Sequence, residues 1–68
     1  MERYSQEIES KMRLFFNSLN ERDSRLYAAI EAYKLGYGGI SYMSEILGLD
    51  DKTIKKGIDE LKKQFRNR

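Results

Sequence analysis

Cysteine and histidine are both absent from this chain of 68 residues. Without them the chain has no disulfide, no soft metal ligand, no thiol nucleophile and no imidazole base. Zinc sites and most common hydrolytic and redox chemistries are therefore excluded. We expect the protein not to be an enzyme and to need no cofactor. The lack of cysteine also fits the reducing environment of the cytoplasm.

The N-terminal residues contain neither the cluster of bases nor the apolar run of a signal peptide, and no long apolar segment follows them. We therefore expect a soluble cytoplasmic protein that does not contact a membrane. Sixty-eight residues form one domain at most, near the lower size at which a chain folds without disulfides or metals.

Glycine is concentrated in one segment, residues 36–39. A phosphate-binding loop needs a greater length, a buried strand before it and a Lys-Ser/Thr pair after it, and this segment has none of these. The segment predicts a chain reversal between two helices, and we expect no small-molecule ligand.

Apolar residues recur at steps of three and four along most of the chain, which is typical of amphipathic helices. Asn20 is placed to cap a helix, and Gly36 is placed to end one. The sequence predicts an all-α fold, a small bundle of about four helices, at 3–18, 21–35, 40–47 and 51–65. We expect one domain over 1–68, divided into an amphipathic helix (1–19), a helix-turn-helix core (20–63) and a basic tail (64–68).

The predicted buried faces follow from the same periodicity. They comprise Tyr4, Ile8, Met12, Phe15, Phe16 and Leu19 in the first helix, Leu26, Ala29, Ile30 and Tyr33 in the second, and Ile54, Ile58, Leu61 and Phe65 in the fourth.

Three further details of the helices can be predicted. Glu7 with Lys11, and Glu9 with Arg13, have the spacing of ion pairs along one helix. A hydrophobic contact between Leu35 and Tyr37 is expected to accompany the stop at Gly36. The small residues Ser44 and Gly57 would let the two helices of a helix-turn-helix approach each other.

Residues 38–61 have the pattern of a helix-turn-helix, with Gly48 and Leu49 in the turn and Asp50 as the cap of the second helix. Although the net charge is only +2, seven of the 13 basic residues lie between Lys52 and Arg68. The outward face of a helix in this position reads DNA, so the pattern predicts double-stranded DNA as the partner. The candidate DNA-binding residues are Lys52, Thr53, Lys55, Lys56, Asp59 and Lys63. A basic face that is merely solvated would look similar.

The motif LGYGGI at 35–40, coupled to TIKKGI at 53–58, resembles the N-terminal head of bacterial insertion-sequence transposases of the Rhodopirellula-type DDE group. The resemblance covers about residues 19–61. It implies recognition of the terminal inverted repeats of a mobile element on behalf of a separate nuclease domain. That domain is not in this chain, so no strand transfer is expected from it.

Two departures from the family pattern bear on DNA recognition. Asp50 and Asp51 stand where family members often have a serine and an arginine, which replaces a cation near the phosphates with an anion. Lys55 and Lys56 stand where arginines are usual, and lysine cannot make the planar two-pronged contact with guanine.

The alternative function is protein interaction or dimerisation through the first helix. Phe15 and Phe16 are adjacent, so their side chains diverge by about 100°. One of them can face the body of the domain while the other is free for a second copy of the chain. The sequence does not decide which of the two phenylalanines faces the body of the domain. It also does not identify the DNA target.

Overall fold

A computed structural model describes the backbone of residues 3–66 and the side chains of residues 3–63. The described part contains four helices and no strand: α1 (Gln6–Ser18), α2 (Glu21–Leu35), α3 (Gly39–Leu47) and α4 (Asp51–Arg66). The predicted all-α fold of four helices is confirmed. The predictions for Phe65 and for the basic tail at 64–68 concern side chains outside the described residues.

Local capping explains where the helices begin. The Asn20 side chain accepts a hydrogen bond from the Asp23 amide at 2.8 Å, as expected of a cap. Ser5 plays the same part for α1, because its Oγ accepts from the Ile8 amide at 3.2 Å. The helix therefore begins at Gln6 and not at residue 3, which corrects the predicted boundary.

Glycines with positive φ explain where α2 and α3 end. Gly36 has φ 73° and Gly48 has φ 74°, a region that side chains with a Cβ rarely adopt. The contact predicted between Leu35 and Tyr37 is wrong, because Tyr37 is fully exposed (101% relative accessibility). The turn is made by the glycines, so it requires no apolar contact.

The core lies between α2, α3 and α4. Met43 of α3 and Ile54 of α4 are its largest fully buried side chains. They pack beside Ala28 and Ala32 of α2.

The buried face of α2 differs from the predicted one. Ala28, Ala29 and Ala32 are buried, whereas Ile30 is 45% exposed and Tyr33 is 69% exposed. Of the predicted stripe, only Ala29 is fully enclosed. Small side chains let two neighbouring helices approach α2 closely, and that close packing buries the alanine face in preference to the bulkier one.

Gly57 lies at a close approach between α4 and α2. A Cβ at this position would lie 2.9 Å from the Ala29 Cβ and 2.9 Å from the Arg25 carbonyl oxygen. Gly57 thus allows a close approach, as predicted, but to α2 and not to α3, the first helix of the predicted helix-turn-helix.

Helix α1 packs on this core through Met12 and Phe16. The predicted pair of Glu7 and Lys11 is present, with 3.8 Å between the charged atoms. The predicted pair of Glu9 and Arg13 is absent from the described ion pairs, because the Glu9 carboxylate contacts Arg3 and Tyr42 of α3 instead. No helix of the described residues is sufficiently long and apolar to cross a membrane.

Candidate nucleic-acid interface

The turn between α3 and α4 is held by local contacts. Gly48 adopts the left-handed conformation, and the Ser44 hydroxyl donates a hydrogen bond to the Leu49 carbonyl at 2.5 Å. Leu49 packs against the core, and the Asp50 carboxylate accepts from the Lys52 amide at 3.3 Å. Ser44 therefore fastens the turn, which adds to the small size for which the sequence singled it out. Helix, tight turn and capped second helix follow one another as a helix-turn-helix requires.

Helix α4 exposes one face to solvent. Ile54 is fully buried on the inner side, and five of the six predicted DNA-binding residues lie exposed on the outer side: Lys52, Lys55, Lys56, Asp59 and Lys63. The sixth, Thr53, is half-buried and therefore lies at the edge of this surface. We call these six residues the α4 face.

The lysines of the α4 face form no close ion pair with the acids that the structure describes. The carboxylate of Glu60, which follows Asp59 in the chain, accepts two hydrogen bonds from Arg25 of α2 at 2.7 and 3.2 Å. These hydrogen bonds hold the pKa of Glu60 below its ordinary 4.5. The negative charge of Glu60 is thus matched by Arg25, and the attraction of Lys56 of the α4 face also lowers this pKa.

The glycine loop lies on the same side of the domain as the start of α4. A cleft there is lined by Tyr37 of the loop, Ser41 of α3, and both Asp51 and Lys55 of α4. The negative Asp51 thus shares a cleft with one of the lysines of the α4 face.

A polar cluster around Tyr42 of α3 could not be found in the sequence. The Tyr42 hydroxyl donates a hydrogen bond to Glu9 at 2.5 Å and accepts one from the Tyr4 amide at 2.8 Å. The Arg3 guanidinium lies 4.7 Å from the centre of the Tyr42 ring and 2.8 Å from the Glu45 carboxylate. These contacts join the start of the chain, α1 and α3. They connect residues 33 to 42 positions apart, for which a single sequence contains no signal.

The protonation of this cluster follows from its burial. Burial raises the pKa of the Tyr42 hydroxyl, and its hydrogen bond to Glu9 raises it further. Tyr42 therefore stays a neutral donor at physiological pH. Among the described residues, no group of three or more acidic side chains is arranged to hold a metal ion.

Comparison with known protein families, with curated proteins and with solved structures yields no match to this chain. The likeness to transposase heads thus depends on the residues of the chain alone.

Proposed function

We propose that the protein is a DNA-binding module that inserts the first half of α4 into the major groove. The observation that carries the proposal is the α4 face, where four exposed lysines, none of them in a described ion pair, lie along a helix that Asp50 caps. Such a surface attracts phosphates, while the buried Ile54 side anchors the helix to the rest of the domain.

Because α4 is longer than the major groove is wide, its residues would contact different parts of the DNA. Lys52 and Lys63 are eleven residues apart, which corresponds to about 16 Å along a helix. The major groove is only about 12 Å wide. Lys52, Lys55 and Lys56 would therefore reach base edges and the nearest phosphates, while Lys63 would contact only the backbone. Asp59 can accept a hydrogen bond from a cytosine amino group, which would favour particular sequences.

The resemblance to transposase heads supports a more specific proposal. The DNA would be the terminal inverted repeat of a mobile element in a bacterial cytoplasm, and this module would position a nuclease domain on it. Chemistry is assigned to that other domain and not to this chain.

The experiment compares the double variant Lys55→Ala, Lys56→Ala with the wild type. DNA selected from a random pool is titrated at several salt concentrations. If four lysines meet phosphates, the slope of log affinity against log salt is about −3 to −4, and the double variant should make it shallower by about 1.8.

A matched control removes the same amount of charge elsewhere. Lys11 and Lys34 lie on α1 and α2 and pair with Glu7 and Glu31. The variant Lys11→Ala, Lys34→Ala should retain the wild-type slope to within a few tenths. If both double variants have equal salt slopes, α4 is not the helix that contacts DNA.

Self-association through α1 is the second candidate, and exposed side chains favour it. Ile8 is 47% exposed and Phe15 is 52% exposed on one side of α1, whereas Phe16 packs against the core. Phe15 also stacks edge-on against Tyr27, with 5.1 Å between the ring centres. Of the two phenylalanines that the sequence left open, Phe15 is the one available to a second copy.

Light scattering at two protein concentrations tests this candidate. If it is correct, the molar mass rises with concentration and Phe15→Lys abolishes the rise. Leu14→Lys is the control, because Leu14 is also apolar and is even more exposed (71%) but projects about 100° away from Phe15. A wild-type chain that stays monomeric at both concentrations would reject self-association.

A further inference from the structure

Tyr37 is a fully exposed aromatic residue at the tip of the loop between α2 and α3. The glycines on both sides have positive φ, 73° at Gly36 and 84° at Gly38. These conformations turn the chain outward at Tyr37, so the side chain contributes nothing to the core. A tyrosine ring leaves a large apolar surface in water here, and contact with a partner would cover that surface.

The position of Tyr37 relative to α4 suggests which partner. Tyr37 of the loop and Lys55 of α4 line the same cleft, together with Ser41 of α3. When the first half of α4 lies in the major groove, one DNA strand must pass close to the segments of the protein beside the start of α4. The loop is such an adjoining element, because it opens on the same cleft as Lys55.

We propose that Tyr37 is a second DNA-contacting residue, whose phenol hydroxyl donates a hydrogen bond to a phosphate on the strand beside the groove occupied by α4. This inference depends on the DNA-binding function proposed above. The contact is neutral, so it sets the register of the module on the duplex without adding to its charge. It also helps to offset the repulsion between that phosphate and the Asp51 carboxylate in the same cleft.

The first variant is Tyr37→Phe, which removes only the hydroxyl. We expect its affinity for the selected DNA to fall by about three- to tenfold, the effect of one hydrogen bond. Its salt slope should stay that of the wild type, because no counterion is released at a neutral donor. Lys55→Ala, in contrast, should reduce both the affinity and the slope.

Tyr33→Phe is the matched control. Tyr33 is the other strongly exposed tyrosine near α4, but it lines a separate apolar groove with Ile58 and Leu61. Its variant should bind DNA like the wild type. The thermal midpoints of both variants should match that of the wild type, since neither hydroxyl has a hydrogen-bond partner among the described contacts.

The outcomes separate this inference from the proposed function. If the double variant of Lys55 and Lys56 weakens binding while Tyr37→Phe binds like the wild type, the tyrosine contact is rejected and the function stands. If Tyr33→Phe weakens binding as much as Tyr37→Phe, the loop has no special role and the inference is again rejected. If the wild type binds no DNA even at low salt, both proposals fail.

Discussion

The substitution Gly57→Ala tests how α2 and α4 pack. In an exposed helix interior this change stabilises a protein by about 1 kcal/mol, because alanine has the higher helix propensity. Here the new Cβ would lie 2.9 Å from the Ala29 Cβ and 2.9 Å from the Arg25 carbonyl oxygen. Favourable carbon contacts are about 3.5–4.0 Å, so both separations are repulsive.

The repulsion should outweigh the propensity. Overpacking a core costs about 1–3 kcal/mol, and the upper part of that range applies because one of the two atoms belongs to the backbone and cannot rotate away. Subtracting the propensity leaves a net loss of about 2 kcal/mol. For a domain of this size that lowers the thermal midpoint by about 8–16 °C.

Urea titration followed by circular dichroism measures the loss. Asp59→Ala, on the exposed face of the same helix, raises helix propensity without creating a new contact. Its free energy of unfolding should rise by a few tenths of a kcal/mol. Adding Ala29→Gly to Gly57→Ala removes one of the two repulsive contacts. The double variant should therefore be more stable, by about 0.5–1 kcal/mol, than the sum of the two single effects predicts. A Gly57→Ala protein that is more stable than the wild type would refute the packing described here.

Two other predictions concern the polar contacts between helices. Tyr42→Phe leaves the Glu9 carboxylate, only 12% exposed, without its hydroxyl donor, and should cost about 1–3 kcal/mol in urea titration; an unchanged midpoint would show that the cluster around Tyr42 does not stabilise the fold. The Arg25 hydrogen bonds lower the pKa of Glu60, so their stabilisation is present above pH 4.5 and is lost as the pH falls through the lower pKa of the folded state. Thermal midpoints measured from neutral pH down to below 4.5 should therefore fall less steeply for Glu60→Gln than for Glu7→Gln, and identical profiles would show that the pair with Arg25 is not linked to folding.

The helices and their ends were predictable because their causes are local. Asn20 caps the residue three positions on, and the glycines at 36 and 48 end helices through their own backbone conformations. Each of these interactions spans only a few residues. Both partners of each interaction are therefore neighbours in the sequence. Ser5 carried the same kind of signal, and the predicted boundary at residue 3 overlooked it.

The candidate surface was predictable to a similar degree. The spacing of Lys52, Lys55 and Lys56 relative to Ile54 places them on the outer side of α4, and the structure exposes them there. Asp59 was predicted to lie with them and is exposed there. The pairing of Glu60 with Arg25, 35 residues away, could not be predicted. The exposure of Tyr37 was missed because an apolar contact with Leu35 was expected in its place.

The sequence by itself determined four amphipathic helices, their order, and a basic outer face on the last of them. Only the tertiary structure decided which face of α2 is buried, what Gly57 contacts and what surrounds Tyr42. The physical reason is that periodicity identifies a side of a helix that can be buried, but close packing selects among candidate sides. In α2 the alanine face is buried and the face of Ile30 and Tyr33 is exposed, because only small side chains allow α4 to approach at Gly57.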